Sequence, residues 1–126
     1  MPKSVPILPD EPPSDLPFSK VVEANGFVFI TGQIGDAPGS HGPVAGGIEP
    51  ETRAMLDNVG RLLRGVGLDY ADVVKCTVYL SDLADFAAMN AVYETYFRTD
   101  PPVRATVQVA GLVLGCRIEI EVLAAR

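Results

Sequence analysis

The chain of 126 residues contains no tryptophan, one histidine (His41) and two cysteines, Cys76 and Cys116, far apart in sequence. With no Cys-x-x-Cys pair, these are too few soft ligands for a zinc site built from thiolates and imidazoles, so no metal is expected. Two unpaired cysteines suit a reducing compartment. Basic charge is also scarce: 10 Lys and Arg stand against 16 Asp and Glu, giving a net charge of −6. No lysine- or arginine-rich run offsets it, and such a chain repels a phosphate backbone, so no nucleic-acid partner is expected. There is no apolar run long enough to span a bilayer and no charged-then-apolar leader, so the expected setting is cytoplasmic, without a membrane partner. What remains, 48% hydrophobic and 21% charged residues, is the make-up of one globular domain with its own core.

Proline is plentiful, and much of it is at one end. Pro2, Pro6, Pro9, Pro12, Pro13 and Pro17 mark residues 1–17 as an extended lead-in, since each fixes φ and removes a backbone donor. A domain over 18–126 follows. In "FSKVVEANGFVFITGQI" two short strands meet at Asn25-Gly26, the dipeptide that favours a tight hairpin turn. "GDAPGSHGPVAGG" reads as a loop, and it lacks the Gly-Lys-Ser/Thr ending of a phosphate loop. "IEPETRAMLDNVGRLLRGVG" then places Met55, Val59, Leu62, Leu63 and Val66 at helical spacing, with Glu49 and Glu51 favouring the dipole of the first turn.

"DVVKCTVYL" predicts a strand with Val74, Cys76, Val78 and Leu80 on one face and Lys75, Thr77 and Tyr79 on the other. A second helix is expected from Asp82 through "LADFAAMNAVYETYF", with Phe86, Tyr93 and Phe97 on its buried stripe, ended by "TDPP". "RATVQVA" and "RIEIEVLA" are the last two strands, around a loop at 111–115. Two helices cover one face of a four- or five-stranded sheet and leave the other half-polar, which predicts a homo-oligomer with any cleft between subunits.

Several residues carry chemistry in this frame. Arg104, behind Pro101 and Pro102, is either a solvated strand-end arginine or a rigid fork for a carboxylate. Strict alternation in the final strand sets Arg117, Glu119 and Glu121 on one face. That face is either a charged edge in water or one wall of a cleft where a glutamate manages water and a proton. Asn90 falls on the stripe of Phe86, Tyr93 and Phe97, and a polar amide there needs a partner, most simply a neighbouring loop. Thr31-Gly32-Gln33 ends a strand with a glycine that permits close approach. His41 is expected in solvent, Cys76 in the core, and Cys116 in either place.

Together "FVFITGQIG", "VVKCTVYLSDLADFAAMNAVYETYF", "PPVRATVQVAGL" and "GCRIEIEVLA" resemble the RidA/YjgF family of enamine and imine deaminases, over about residues 16–125. The resemblance implies a chorismate-mutase-like α+β subunit, a mixed sheet with two helices on one face, assembled as a homotrimer with clefts between subunits. It implies hydrolysis of reactive 2-imino and 2-enamino acids to 2-keto acids and ammonia without a metal or organic cofactor. It also implies roles: Arg104 grips the substrate carboxylate, Glu119 handles the attacking water, and Asn90 and Gly32 match further site positions. Two departures mark a divergent branch. Phe18, in "LPFSK", stands where the family often has a tyrosine, and Thr106 where its best-known branch often has a cysteine. The missing hydroxyl at Phe18 motivates an alternative: a non-catalytic module that binds small carboxylates in the same cleft.

Overall fold

The computed structural model describes residues 2–126. Its elements are β1 (Val21–Ala24), β2 (Phe27–Ile34), α1 (Ile48–Gly65), β3 (Val73–Leu80), α2 (Phe86–Tyr96), β4 (Val103–Gln108) and β5 (Ile118–Ala125). Asn25 and Gly26, at φ 53° and 80°, turn β1 into β2 with the positive-φ pair that such a hairpin requires. The five strands form one sheet in the order β1-β2-β5-β3-β4. Only β3 and β4 run parallel, joined through α2; every other pairing is antiparallel. This is a mixed α+β domain with two helices, the expected class.

The core lies between the helices and one face of the sheet. Val28 and Ile30 of β2, Cys76, Val78 and Leu80 of β3, and Ile118, Ile120 and Val122 of β5 are buried in one cluster. Against them pack Met55, Leu56, Val59, Leu62 and Leu63 of α1 and Met89 and Tyr93 of α2. The opposite face keeps the intervening residues, and there Phe27, Phe29, Val103 and Val107 stay exposed beside Lys75, Thr77 and Tyr79.

Three readings are corrected. Val74 does not face the core: it is 41% exposed, while Val73 is 5% exposed. The pairing of β3 with β5 slips between Val73 and Lys75, and such a bulge reverses the alternation that a regular strand would keep. The helix expected from Asp82 begins later. Asp82 accepts the Ala84 N–H at 2.9 Å and caps a single 3₁₀ turn, Leu83–Asp85; α2 itself starts at Phe86. Phe86 therefore opens the helix one turn ahead of Met89, where α2 meets the core, and its ring is 40% exposed.

The Pro-rich segment lies along the domain. Ser4 exchanges two 2.9 Å backbone hydrogen bonds with Glu23, and Leu8 packs on the core. Glu11 meets Arg61 at 3.0 Å, and Arg61 also donates to Asn58 at 2.7 Å. The Asn58 amide in turn donates to the Ile34 carbonyl and the Asp36 carboxylate, both at 2.9 Å, which fixes the exit of β2.

Glu51 does more than favour the dipole of α1. Its carboxyl is buried at 2% exposure and accepts the backbone N–H groups of Arg117 at 2.7 Å and Ile118 at 3.3 Å. Helix α1 thereby holds the start of β5. Burial pushes the Glu51 carboxyl above the ordinary glutamate range, against the pull of those two donors. A raised folded pKa means that the folded state binds the proton more tightly than the unfolded chain does. The contribution is therefore favourable in acid and is lost as pH rises from the unfolded pKa through the folded one. Glu51→Gln keeps both acceptor contacts without the charge. In urea unfolding across that window its stability is expected to gain on the wild type as pH rises; parallel curves would refute the burial argument. Glu51→Ala orphans two N–H groups and is expected to cost about 2–4 kcal/mol.

Candidate active site

Arg104 leaves β4 on the helix-covered side, because it pairs with the core residue Cys76. Its Nη1 donates to the Asn90 carbonyl oxygen at 2.8 Å. Asn90 therefore finds its partner in an arginine, and not in a neighbouring loop. The guanidinium carbon lies 4.6 Å from the centre of the Tyr93 ring and 5.6 Å from that of Phe86. Phe86, Asn90 and Tyr93 are spaced four and three residues apart, so one face of α2 supplies all three contacts. Among the described residues this is the guanidinium's one hydrogen bond of good geometry, the Tyr93 hydroxyl lies beside it, and further N–H donors remain for a ligand. Two positions on, Thr106 pairs with Val78 on the same side of the sheet, and its hydroxyl is buried without a partner.

Glu119 and Gly32 meet elsewhere. Glu119 pairs with Tyr79 across β3 and with Ile34 across β2, so it stands on the uncovered face. A Cβ built on Gly32 would collide with the Glu119 carboxylate, so only glycine leaves that carboxylate its position. Burial first, and then the neighbouring Glu121, raise the Glu119 pKa above the ordinary value, which suits proton exchange nearer neutrality. Glu121 accepts the Tyr79 hydroxyl. Phe18 borders the same face, at the rim of a hollow of about 480 Å³ that Thr31, Lys75 and Thr77 also line. Arg117, just ahead of β5, pairs with Asp85 at 3.8 Å and not with either glutamate.

The expected site residues therefore fall into two groups. Arg104, Asn90 and Thr106 lie with α2; Glu119, Gly32 and Phe18 lie with the uncovered face. Cys76 and Tyr79 are three apart on one strand, so their partners Arg104 and Glu119 project from opposite faces. His41 is exposed, and Cys116 is buried together with Cys76. Among the described residues no group of three His, Cys, Asp or Glu side chains could hold a metal, and no helix is long and apolar enough to cross a membrane.

The family model described as endoribonuclease L-PSP matches residues 9–126. The chain belongs to that family, the RidA/YjgF family. Mouse 2-iminobutanoate/2-iminopropanoate deaminase is 43% identical over 108 residues, covering 86% of this chain and 80% of the relative. Among solved structures, yeast YEO7 superposes with a TM-score of 0.91 at 31% identity, over 99% of each chain. Escherichia coli TdcF with bound serine gives a TM-score of 0.84 at 35% identity, over 91% of this chain and 92% of that one. Relatives bearing deaminase names agree with deamination as the activity of this RidA/YjgF member in broad terms.

Proposed function

We propose that the protein hydrolyses small reactive 2-imino and 2-enamino acids to 2-keto acids and ammonia, in clefts between the subunits of a homotrimer. The carrying observation is Arg104: a guanidinium fixed at Nη1 by Asn90 and backed by Tyr93, with its remaining donors free. A planar fork held in this way matches a carboxylate bidentately at any working pH. Glu119 is the water-handling group. Water adds to the electrophilic C2, the C=N π pair passes to nitrogen, and the carboxylate relays the proton of water to that nitrogen. The carbinolamine then collapses: its hydroxyl proton passes through the same carboxylate to the amine, the C=O bond forms as the C–N bond breaks, and ammonia leaves the keto acid. Phe18, Gly32, Asn90 and Thr106 complete the binding surface.

The opposed faces support a site shared between subunits, since Arg104 of one chain reaches Glu119 only in another. The exposed Phe27, Phe29, Val103 and Val107 supply apolar surface for such an assembly. The family description names an RNA-cleaving activity, but 10 basic against 16 acidic residues give a net charge that opposes a phosphate backbone. A local arginine field at one cleft suffices for a small anion.

The test is to release 2-iminobutanoate in situ with a threonine dehydratase and follow its decay with and without the protein. Acceleration is expected, and its absence at every protein concentration would sink the reading. Light scattering is expected to give three times the 13.4 kDa chain mass; a monomer would contradict the shared cleft.

A further inference from the structure

We propose that Tyr93 and Phe86 are positioning residues, an aromatic seat that fixes the Arg104 guanidinium so that its free edge meets the substrate carboxylate. The inference rests on the reading of Arg104 as the anchor and adds what holds it. One hydrogen bond to Asn90 leaves a guanidinium free to swing about that contact. Ring faces at 4.6 and 5.6 Å restrict the swing, because the electron-rich face of an aromatic ring attracts a cation within about 6 Å of its centre.

The seat is itself braced. Phe97 lies 4.7 Å behind Tyr93, Tyr70 stands edge-on to Phe97 at 5.7 Å, and the Tyr70 hydroxyl donates to the Leu56 carbonyl of α1 at 2.7 Å. The chain of contacts runs from the middle of α1 to the anchor. The Tyr93 hydroxyl is buried beside the Cys76 thiol and the Arg104 guanidinium and makes no hydrogen bond of good geometry to either. The π face is therefore the portion of Tyr93 that seats the cation. Tyr93 is 5% exposed and Phe86 40% exposed, so Tyr93 is the floor of the seat and Phe86 its outer lip.

Three variants separate a ring effect from general damage: Tyr93→Phe keeps the ring, Tyr93→Leu keeps apolar bulk without it, and Phe86→Leu alters only the half-exposed lip. Binding of 2-oxobutanoate by titration calorimetry, KM and kcat on 2-iminobutanoate, and the guanidinium N–H resonances of Arg104 are the readouts. Tyr93→Leu is expected to weaken 2-oxobutanoate binding and raise KM about tenfold with little change in kcat, and Phe86→Leu about threefold. Tyr93→Phe is expected to match the wild type. The ring-shifted Arg104 N–H resonances should persist in Tyr93→Phe and move toward solvent-exposed positions in Tyr93→Leu.

Wild-type affinity and unmoved resonances in both leucine variants would overturn the seat. If Tyr93→Leu does not fold, Phe86→Leu decides alone by the same two readouts. If the wild type binds no 2-oxobutanoate, the anchor reading fails. The resonances then still decide the seat, which stands if they move on loss of the ring and falls if they do not.

Discussion

Arg104→Ala is expected to lower kcat/KM on 2-iminobutanoate by roughly 10²–10⁴-fold while leaving the unfolding midpoint nearly unchanged. Two charge-assisted hydrogen bonds to a carboxylate are lost, worth together about 3–6 kcal/mol, which is that range of rates. The fold should tolerate the change, because the side chain is only half-buried and β4 is an edge strand. The orphaned partner is a single carbonyl oxygen on Asn90, which water can reach. Arg104→Lys should restore little of the activity. An ammonium has neither the planar fork that a carboxylate requires nor the flat cation that lies on Tyr93. Steady-state kinetics paired with thermal unfolding checks both halves. An alanine variant that retains a third or more of the wild-type kcat/KM would remove Arg104 from the site.

The second large effect comes from mixing two dead proteins. Glu119→Gln is expected to lose most of kcat, since the amide cannot take the proton of the attacking water, and to keep carboxylate binding. Arg104 and Glu119 project from opposite faces of one sheet, and in the proposed shared site each centre draws them from different chains. When Arg104→Ala and Glu119→Gln chains are unfolded together and refolded in equal amounts, a centre is intact if its arginine comes from one variant and its glutamate from the other. In any closed ring of subunits that happens at about one quarter of the centres. Activity near a quarter of wild type from two inactive parents is the expected result. If the site lay within one chain, every mixture would stay as inactive as its parents.

The sequence shows the outline of this site more readily than its orientation. Asn25-Gly26, the stripe of α1 and the alternation of β5 depend on local rules of backbone and period, and each is present in the structure. Val74 was misplaced because a bulge inserts a residue that strict alternation cannot register. Asn90, Tyr93 and Phe86 were visible as one helical face. That face could be read as a buried stripe, but the guanidinium it receives belongs to a strand that follows the "TDPP" break, and no periodicity crosses such a break. Glu51 was legible only as a favourable charge in the first turn of a helix. Its second role, holding Arg117 and Ile118, joins segments 66 and 67 residues apart, and only the closed sheet reveals that contact.

The crossover from β3 through α2 to β4 has a further consequence, in the order of assembly during folding. The residues in direct contact with the arginine, between Cys76 and Thr106, lie on one uninterrupted stretch of chain and close over short loops at small entropic cost. The glycine and glutamate that meet on the other face are separated by most of the molecule, and they come together only when the last strand inserts between the second and the third. The contacts of Arg104 can thus be brought together early and locally. The meeting of Gly32 with Glu119 waits for the chain to be complete, because the last strand is also the central one.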